Sequence, residues 1–176
     1  ADPALVELQH ELEFPAIPRI IECFDISNIH GTSVVGSMVQ FANAKPNKSG
    51  YRRFKIRTVG GQDDFASMKE IVWRRYSRLK AEGQTMPDLI LIDGGAGQLN
   101  AALSALSGLQ LNISCISLAK EFEEIYHPDK SEPIRLPRSS PALKVLQFAR
   151  DEAHRFGISY HRLLRKKSTF EEKGEK

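Results

Sequence analysis

Pro87-Asp88-Leu89-Ile90-Leu91-Ile92-Asp93-Gly94-Gly95-Ala96-Gly97-Gln98 sets the architecture of this chain. Residues 89–92 are an unbroken aliphatic run between a proline and a glycine cluster, the pattern of a strand buried on both faces of a sheet. Such a strand belongs in the middle of its sheet. The run ends in Asp93, and Gly94, Gly95 and Gly97 then let the backbone turn sharply and let something bulky approach. An ionised carboxylate at the mouth of a core strand costs free energy unless it is paired or holds a cation. Asp93 therefore calls for a partner.

Toward the C-terminus, helical spacing through Leu99, Leu103 and Leu106 to Gly108 and a strand over 113–118 complete a strand, helix, strand unit. Residues 119–126 and 133–136 then suggest a hairpin across Pro128-Asp129. Ser140-Pro141 marks a helix start, a capping hydroxyl followed by a residue whose missing N–H is no loss there. That helix carries Leu143, Leu146, Phe148, Ala149 and Ala153 and runs or rejoins through His161-Arg162-Leu163-Leu164.

Toward the N-terminus, Asp63 or Asp64 caps a helix whose apolar face is Phe65, Met68, Ile71, Val72, Tyr76 and Leu79, stopped by Gly83. Three strands precede it, over 20–26, 33–41 and 51–58, with a turn at Gly31 and a polar turn cluster over 46–50. In the third, Tyr51, Arg53, Lys55 and Arg57 point one way and Arg52, Phe54 and Ile56 the other. Leu5 and Leu12 bound a short helix or arm before Phe14-Pro15 and Ile17-Pro18. The expected layout is an arm or linker over 1–18, one domain over 19–165, and a charged, disordered tail over 166–176.

A chain of 176 residues, 41% hydrophobic and 27% charged, has the size and composition of one domain with a real core. No apolar run is long enough to cross a bilayer, so no membrane partner is expected. Cys23 and Cys115 each sit in an apolar run and read as buried thiols; with no signal-peptide pattern, a cytoplasmic location is expected. The first residue is Ala1 rather than Met, which suggests a piece of a longer polypeptide. A net charge of +3 and a pI of about 8.9 permit a polyanionic partner without requiring one.

Right-handed, uncrossed connections leave few arrangements for these elements. The simplest is an α/β mixed sheet of five strands in the order 3-2-1-4-5, strand 2 antiparallel, with helices flanking it. The first strand, which carries Asp25, then lies beside the fourth, which ends in Asp93, at about 4.8 Å. Taken singly, each aspartate is explained by a turn cap or an arginine partner. Side by side they repel, which is tolerated where they share a divalent cation, about 2.1 Å away for magnesium. Glu22, an odd number of residues from Asp25, should face the other way. A third candidate is His154 in Asp151-Glu152-Ala153-His154-Arg155. On a helix it shares a face with Arg150 and Asp151, and its imidazole can ligate or move a proton near neutral pH.

Four stretches in order, Glu22-Cys23-Phe24-Asp25-Ile26-Ser27-Asn28-Ile29-His30-Gly31, Gly61-Gln62-Asp63-Asp64-Phe65-Ala66-Ser67-Met68, Leu89 through Leu99, and Asp151-Glu152-Ala153-His154-Arg155-Phe156, resemble the C-terminal endonuclease domain of UvrC, the incision subunit of bacterial nucleotide excision repair. The resemblance covers residues 20–165. It implies a ribonuclease H-like fold related to endonuclease V and an Asp-Asp-His triad, carried onto Asp25, Asp93 and His154 as catalytic and metal-holding residues. It further implies Mg2+ or Mn2+, a cut on the 5′ side of a lesion in damaged double-stranded DNA leaving a 3′-hydroxyl and a 5′-phosphate, and UvrB as partner, with UvrA acting indirectly. Ribonuclease H sites usually have four carboxylates and two metals. A histidine in the last place implies one well-occupied cation. The family's GIY-YIG nuclease and helix-hairpin-helix motifs are not seen in this sequence, so dual incision and tight DNA binding are not expected of this piece alone.

Lys120, Arg155 and Arg57 are candidate phosphate contacts and Asp64 a candidate support for the site. Arg53, Lys55 and Arg57 form a basic strand face suited to guiding a duplex. Solvated charge is the ordinary explanation for each cation, helix capping that for Asp64. Three rival functions compete. One is nucleotide binding on Gly94-Gly95-Ala96-Gly97 at a helix N-terminus, although the loop fits neither G-x-G-x-x-G nor G-x-x-x-x-G-K-[ST]. The others are a non-catalytic module docking DNA or a repair partner, and an endonuclease V-like enzyme acting on deaminated bases.

Overall fold

A computed structural model describes residues 1–29, 33–57 and 63–174. The expected turn at Gly31 and the end of the third strand at Thr58 lie outside the described residues. The strands are β1 (Ile20–Ile29), β2 (Ser33–Ala42), β3 (Lys45–Pro46), β4 (Arg52–Lys55), β5 (Leu89–Asp93), β6 (Ser114–Ala119) and β7 (Glu124–Tyr126). The helices are α1 (Pro3–Leu12), α2 (Asp64–Ala81), α3 (Ala96–Gly108) and α4 (Pro141–Gly174). They build one mixed sheet in the order β3-β2-β1-β5-β6-β7, with β4 also paired to β2.

The five expected strands keep the order argued from handedness, but the count is corrected from five to seven. Of the two added strands, Lys45–Pro46 has no periodic run to show in the sequence, and Glu124–Tyr126 falls inside the 119–126 segment expected in a hairpin. Lys45–Pro46 extends the bend after β2, and Glu124–Tyr126 folds straight back on β6, pairing Ser117 with Tyr126. The turn of the β6 and β7 hairpin is at 120–123, where Glu123 takes a left-handed φ of 51°; across Pro128-Asp129 the expected hairpin pairs Ile125 with Ile134 through two 2.8 Å backbone hydrogen bonds. The 133–136 segment contributes a single bridge, Ile134 to Ile125.

Strand alternation sorts the core into two halves. Ile21, Cys23, Val39, Phe41, Leu89, Leu91, Ile116 and Leu118 face α1 and α4. Phe24, Met38, Ile90, Ile92 and Cys115 face α2 and α3. Leu89 to Ile92 are each fully buried, as a central strand requires, and each such side chain contributes roughly 1.5–3 kcal/mol. The segment expected as an arm is a helix capped by Asp2, and its Leu5, Leu8 and Leu12 are buried in the α4 half of the core. Both cysteines are free and buried. The segment expected as a disordered tail falls on α4, which continues as helix to Gly174.

Glu22 does turn away from Asp25, and its destination is a buried network. Arg75 Nη2 donates to Glu22 Oε2 at 2.8 Å, Tyr76 OH to Oε1 at 2.8 Å, and Gln40 Nε2 to Oε2 at 2.8 Å. Burial and the Glu22 charge push the Tyr76 hydroxyl pKa far up, so it stays a donor. The network fixes α2 to the middle of β1 and so fixes the strand that carries Asp25.

Candidate active site

The site forms where three elements converge at the C-terminal ends of the parallel strands. β1 and β5 pair in register as far as Phe24 and Ile92, so the next position on each is an aspartate. Asp25 and Asp93 then both point to the α4 side, following Cys23 and Leu91. Their carboxyl groups share a hydrogen bond. Asp25 is 5% exposed and accepts a second bond from Ser27 Oγ at 3.0 Å.

Burial is the chief reason both carboxyls titrate high, since charge is disfavoured away from water. For Asp93 the neighbouring Asp25 charge adds to burial, and its pKa rises from 3.8 to about 7, while Arg150 and His154 pull it down. For Asp25 the rise is opposed by the bonds from Asp93 and Ser27 and by the Lys120 charge, and assisted by Asp64. Without a cation the pair holds one proton between two acidic groups near neutral pH, the behaviour of a carboxylate dyad.

α4 lies across this pair because small groups let it come close. A Cβ on Gly157 would stand 3.0 Å from Ser27 Oγ, 3.2 Å from Ser37 Oγ and 3.3 Å from Asp25 Oδ2. Ser37, opposite Asp25 on β2, donates to the Ala153 carbonyl at 2.9 Å. The helix is held at its other side by buried Arg150, which donates to Glu123 Oε2 at 2.8 Å and pairs with Asp151 at 3.3 Å. One turn on, His154 comes out half exposed with Nδ1 3.7 Å from Asp25 Oδ2, beyond hydrogen-bond reach but facing the pair.

The glycine cluster shapes the other wall. Gly94 has φ +146°, and a Cβ there would meet Gln98 at 2.7 Å; Gln98 Oε1 in turn accepts the Gly95 N–H at 3.0 Å. At Gly97 a Cβ would collide with the Phe65 ring, so that glycine seats Phe65, 52% exposed, against the first turn of α3. The loop is thus occupied by side chains of the protein itself, which does not favour the nucleotide-binding alternative.

The structure therefore brings Asp25, Asp93 and His154 together. Lys120, at the turn after β6, is exposed and near enough for its charge to act on Asp25. Asp64 acts on Asp25 likewise; the cap of α2 is Asp63, whose Oδ1 accepts from Phe65 and Ala66 N–H at 3.1 Å. Arg155 is engaged elsewhere, donating to Glu152 at 2.6 and 2.9 Å, and Glu152 also accepts from Tyr51 OH at 2.6 Å. Arg57 lies against α2, its N–H donating to Glu70 at 2.9 and 3.1 Å. Sequence reasoning missed Ser27, Ser37, Glu123, Arg150 and Gly157 as site-building residues. Only Gly157 carried a signal, a glycine inside a helical pattern. A cleft of about 620 Å³ opens at the opposite end of the sheet beside Ser114, Cys115 and His127 and holds none of the candidate residues.

A buried and a partly buried carboxyl beside each other are a hard-oxygen donor set, and a divalent cation held between them would relieve their repulsion. The residues fit such an ion. Among the described residues no three His, Cys, Asp or Glu side chains form a metal site by themselves.

Residues 9–158 match the family model for the UvrC RNase H endonuclease domain. A UvrABC system protein C from Methanococcus maripaludis is 56% identical over 160 residues, 91% of this chain and 30% of that protein. Those from Methanosarcina acetivorans and Chlorobium phaeobacteroides are 54% and 51% identical over 93% and 95% of this chain, and 32% and 26% of their own lengths. The chain thus spans about three-tenths of the length of the curated relatives it matches. Among solved structures, Ciona intestinalis endonuclease V in complex with a 24mer DNA containing an inosine followed by a ribo-adenosine superposes with a TM-score of 0.53 at 14% identity, over 91% of this chain and 95% of that one. The fold is shared with that nuclease.

Proposed function

We propose, because the chain belongs to the family of UvrC RNase H endonuclease domains, that it is a metal-dependent DNA endonuclease. It makes the 5′ cut beside a lesion in nucleotide excision repair, in a complex with UvrB. The observation that carries the reading is the Asp25 and Asp93 pair, a buried and a partly buried carboxyl on adjacent strands where their parallel pairing ends, with His154 facing them.

Asp25 and Asp93 would hold one Mg2+ or Mn2+, which would supply Lewis-acid stabilisation of the phosphate oxygens. Ser27 and Lys120 favour the ionised form of Asp25 against the effect of burial, and the Ser27 hydrogen bond orients its carboxyl. His154, half exposed at the rim, takes the proton of the attacking water. The water oxygen bonds to phosphorus as the bond to the 3′ oxygen breaks, leaving a 5′-phosphate and a 3′-hydroxyl protonated from solvent. Lys120 neutralises substrate charge. Arg155, a candidate phosphate contact, is paired with Glu152 on the same helix and remains largely exposed.

The endonuclease V likeness leaves a second substrate class, deaminated bases, as the alternative; family membership favours lesion-directed incision. The test is nicking of lesion-bearing duplex by the chain together with UvrB. Asparagine at Asp25 or Asp93 abolishes the 5′ nick while circular dichroism stays unchanged. Substantial residual cleavage by both variants overturns the reading.

A further inference from the structure

We propose that the groove between β4 and the C-terminal half of α4 holds the phosphate backbone of the DNA leading out of the Asp25 and Asp93 site; this rests on the nuclease reading above. The groove, about 380 Å³, is lined by Arg53, Ser159, Arg162, Leu163 and Lys166. Among the described residues its lining holds three cations, a hydroxyl and one leucine, and no carboxylate. Positions 159, 162, 163 and 166 recur at i, i+3, i+4 and i+7, so α4 presents them along one stripe. Arg53 closes the other side from β4, its guanidinium 4.4 Å above the Phe156 ring. Phe156 is in turn edge-on to Tyr51, at 5.0 Å between ring centres. Aromatic stacking thus holds the arginine in place, with its positive charge at the groove wall. Glu152, the acid that precedes the stripe on this helix, is already bound to Arg155 and Tyr51.

Continuity with the site selects DNA over an acidic protein. The helix that presents His154 also presents the stripe, and Arg162 and Lys166 follow it by roughly 12 and 18 Å along the axis at 1.5 Å per residue. A strand of duplex rises about 3.4 Å per nucleotide, so these cations meet phosphates about four to five base pairs from the cut. Arginine, lysine and serine are the side chains that position a duplex through phosphate without reading its sequence.

The test is equilibrium binding of the 176-residue chain to a fluorescent duplex of about 30 base pairs at several salt concentrations between about 50 and 200 mM. Arg162→Gln with Lys166→Gln, both exposed and outside the core, lowers affinity at least tenfold. It also lowers the slope of log K against log salt by about 2, at roughly 0.9 for each phosphate no longer neutralised. Arg53→Gln alone lowers the slope by about 1. An unchanged slope and affinity in the double variant overturns the proposal. So does a loss of affinity for polyglutamate with duplex binding intact, which assigns the groove to an acidic protein. Nicking of lesion-bearing duplex by the wild-type chain with UvrB is scored separately. A wild type that nicks beside a double variant that binds normally removes the groove alone, and the converse removes the nuclease reading alone.

Discussion

Asp93 titrates at about 7 in the folded chain against 3.8 for the free side chain, so on raising pH the unfolded state releases this proton first. Stability from this group is therefore greatest below pH 3.8, declines as pH rises toward about 7, and is flat beyond. Without metal, wild type is penalised above neutrality by about 1 to 3 kcal/mol, less than the full shift because solvent reaches the rim. Asp93→Asn removes the charge and keeps the shape. In EDTA at about pH 8 thermal denaturation shows it more stable than wild type, while near pH 4 the two coincide. The same substitution destroys cleavage, so one change raises stability and removes activity. A variant no more stable than wild type at the higher pH means the dyad is not strained. Cation affinity follows the opposite sense, strengthening as pH rises through about 7, because the ion displaces the shared proton.

α4 is the element that turns a pair of carboxylates into a site. Gly157→Ala forces a methyl against Ser27, Ser37 and Asp25 at 3.0 to 3.3 Å, so the helix must lift by a few tenths of an ångström. Nicking falls about tenfold or more while stability drops by only about 1 to 2 kcal/mol, since a small misplacement costs rate before it costs packing. Unchanged nicking shows that His154 needs no fixed distance from Asp25. Arg150→Met removes the anchor to Glu123 and leaves Glu123 and Asp151 uncompensated. Stability falls by roughly 2 to 4 kcal/mol, and nicking falls with it. On the far face, Arg75→Met strands buried Glu22 and costs about 3 kcal/mol or more in urea denaturation. Hydrophobic period and turn chemistry made β1, β2, β5, β6 and all four helices legible, because each has a run long enough to show its period. β3 was not legible, because a strand of two residues has none, and β7 was read only as an arm of the hairpin across Pro128-Asp129, its pairing back onto β6 being decided by the tight turn at 120–123. The Glu22, Arg75 and Tyr76 network and the Glu123 to Arg150 anchor were not legible either. Each joins residues far apart along the chain, and only tertiary packing decides which buried charges meet.

Across the molecule, the order of the sheet is what assembles the chemistry. Handedness and short connections put β1 beside β5, and that adjacency alone brings Asp25 to Asp93 across 68 residues of chain. The three site residues were therefore readable once topology was argued, while the groups that hold α4 over them were not. The basic groove was half visible, as Arg53 on a charged strand face, but its α4 wall exists only where the helix crosses β4. EDTA abolishes nicking by the chain with UvrB and added Mg2+ or Mn2+ restores it, whereas Ca2+, which takes more ligands in looser geometry, restores little. Whether the paired aspartates bind one divalent cation is read without intermediary by anomalous diffraction from crystals of the chain soaked in Mn2+. A single strong peak is expected within about 2.5 Å of a carboxylate oxygen of both Asp25 and Asp93, absent from Asp93→Asn crystals. A peak elsewhere, or none at this pair at saturating Mn2+, contradicts shared ligation and with it the nuclease site.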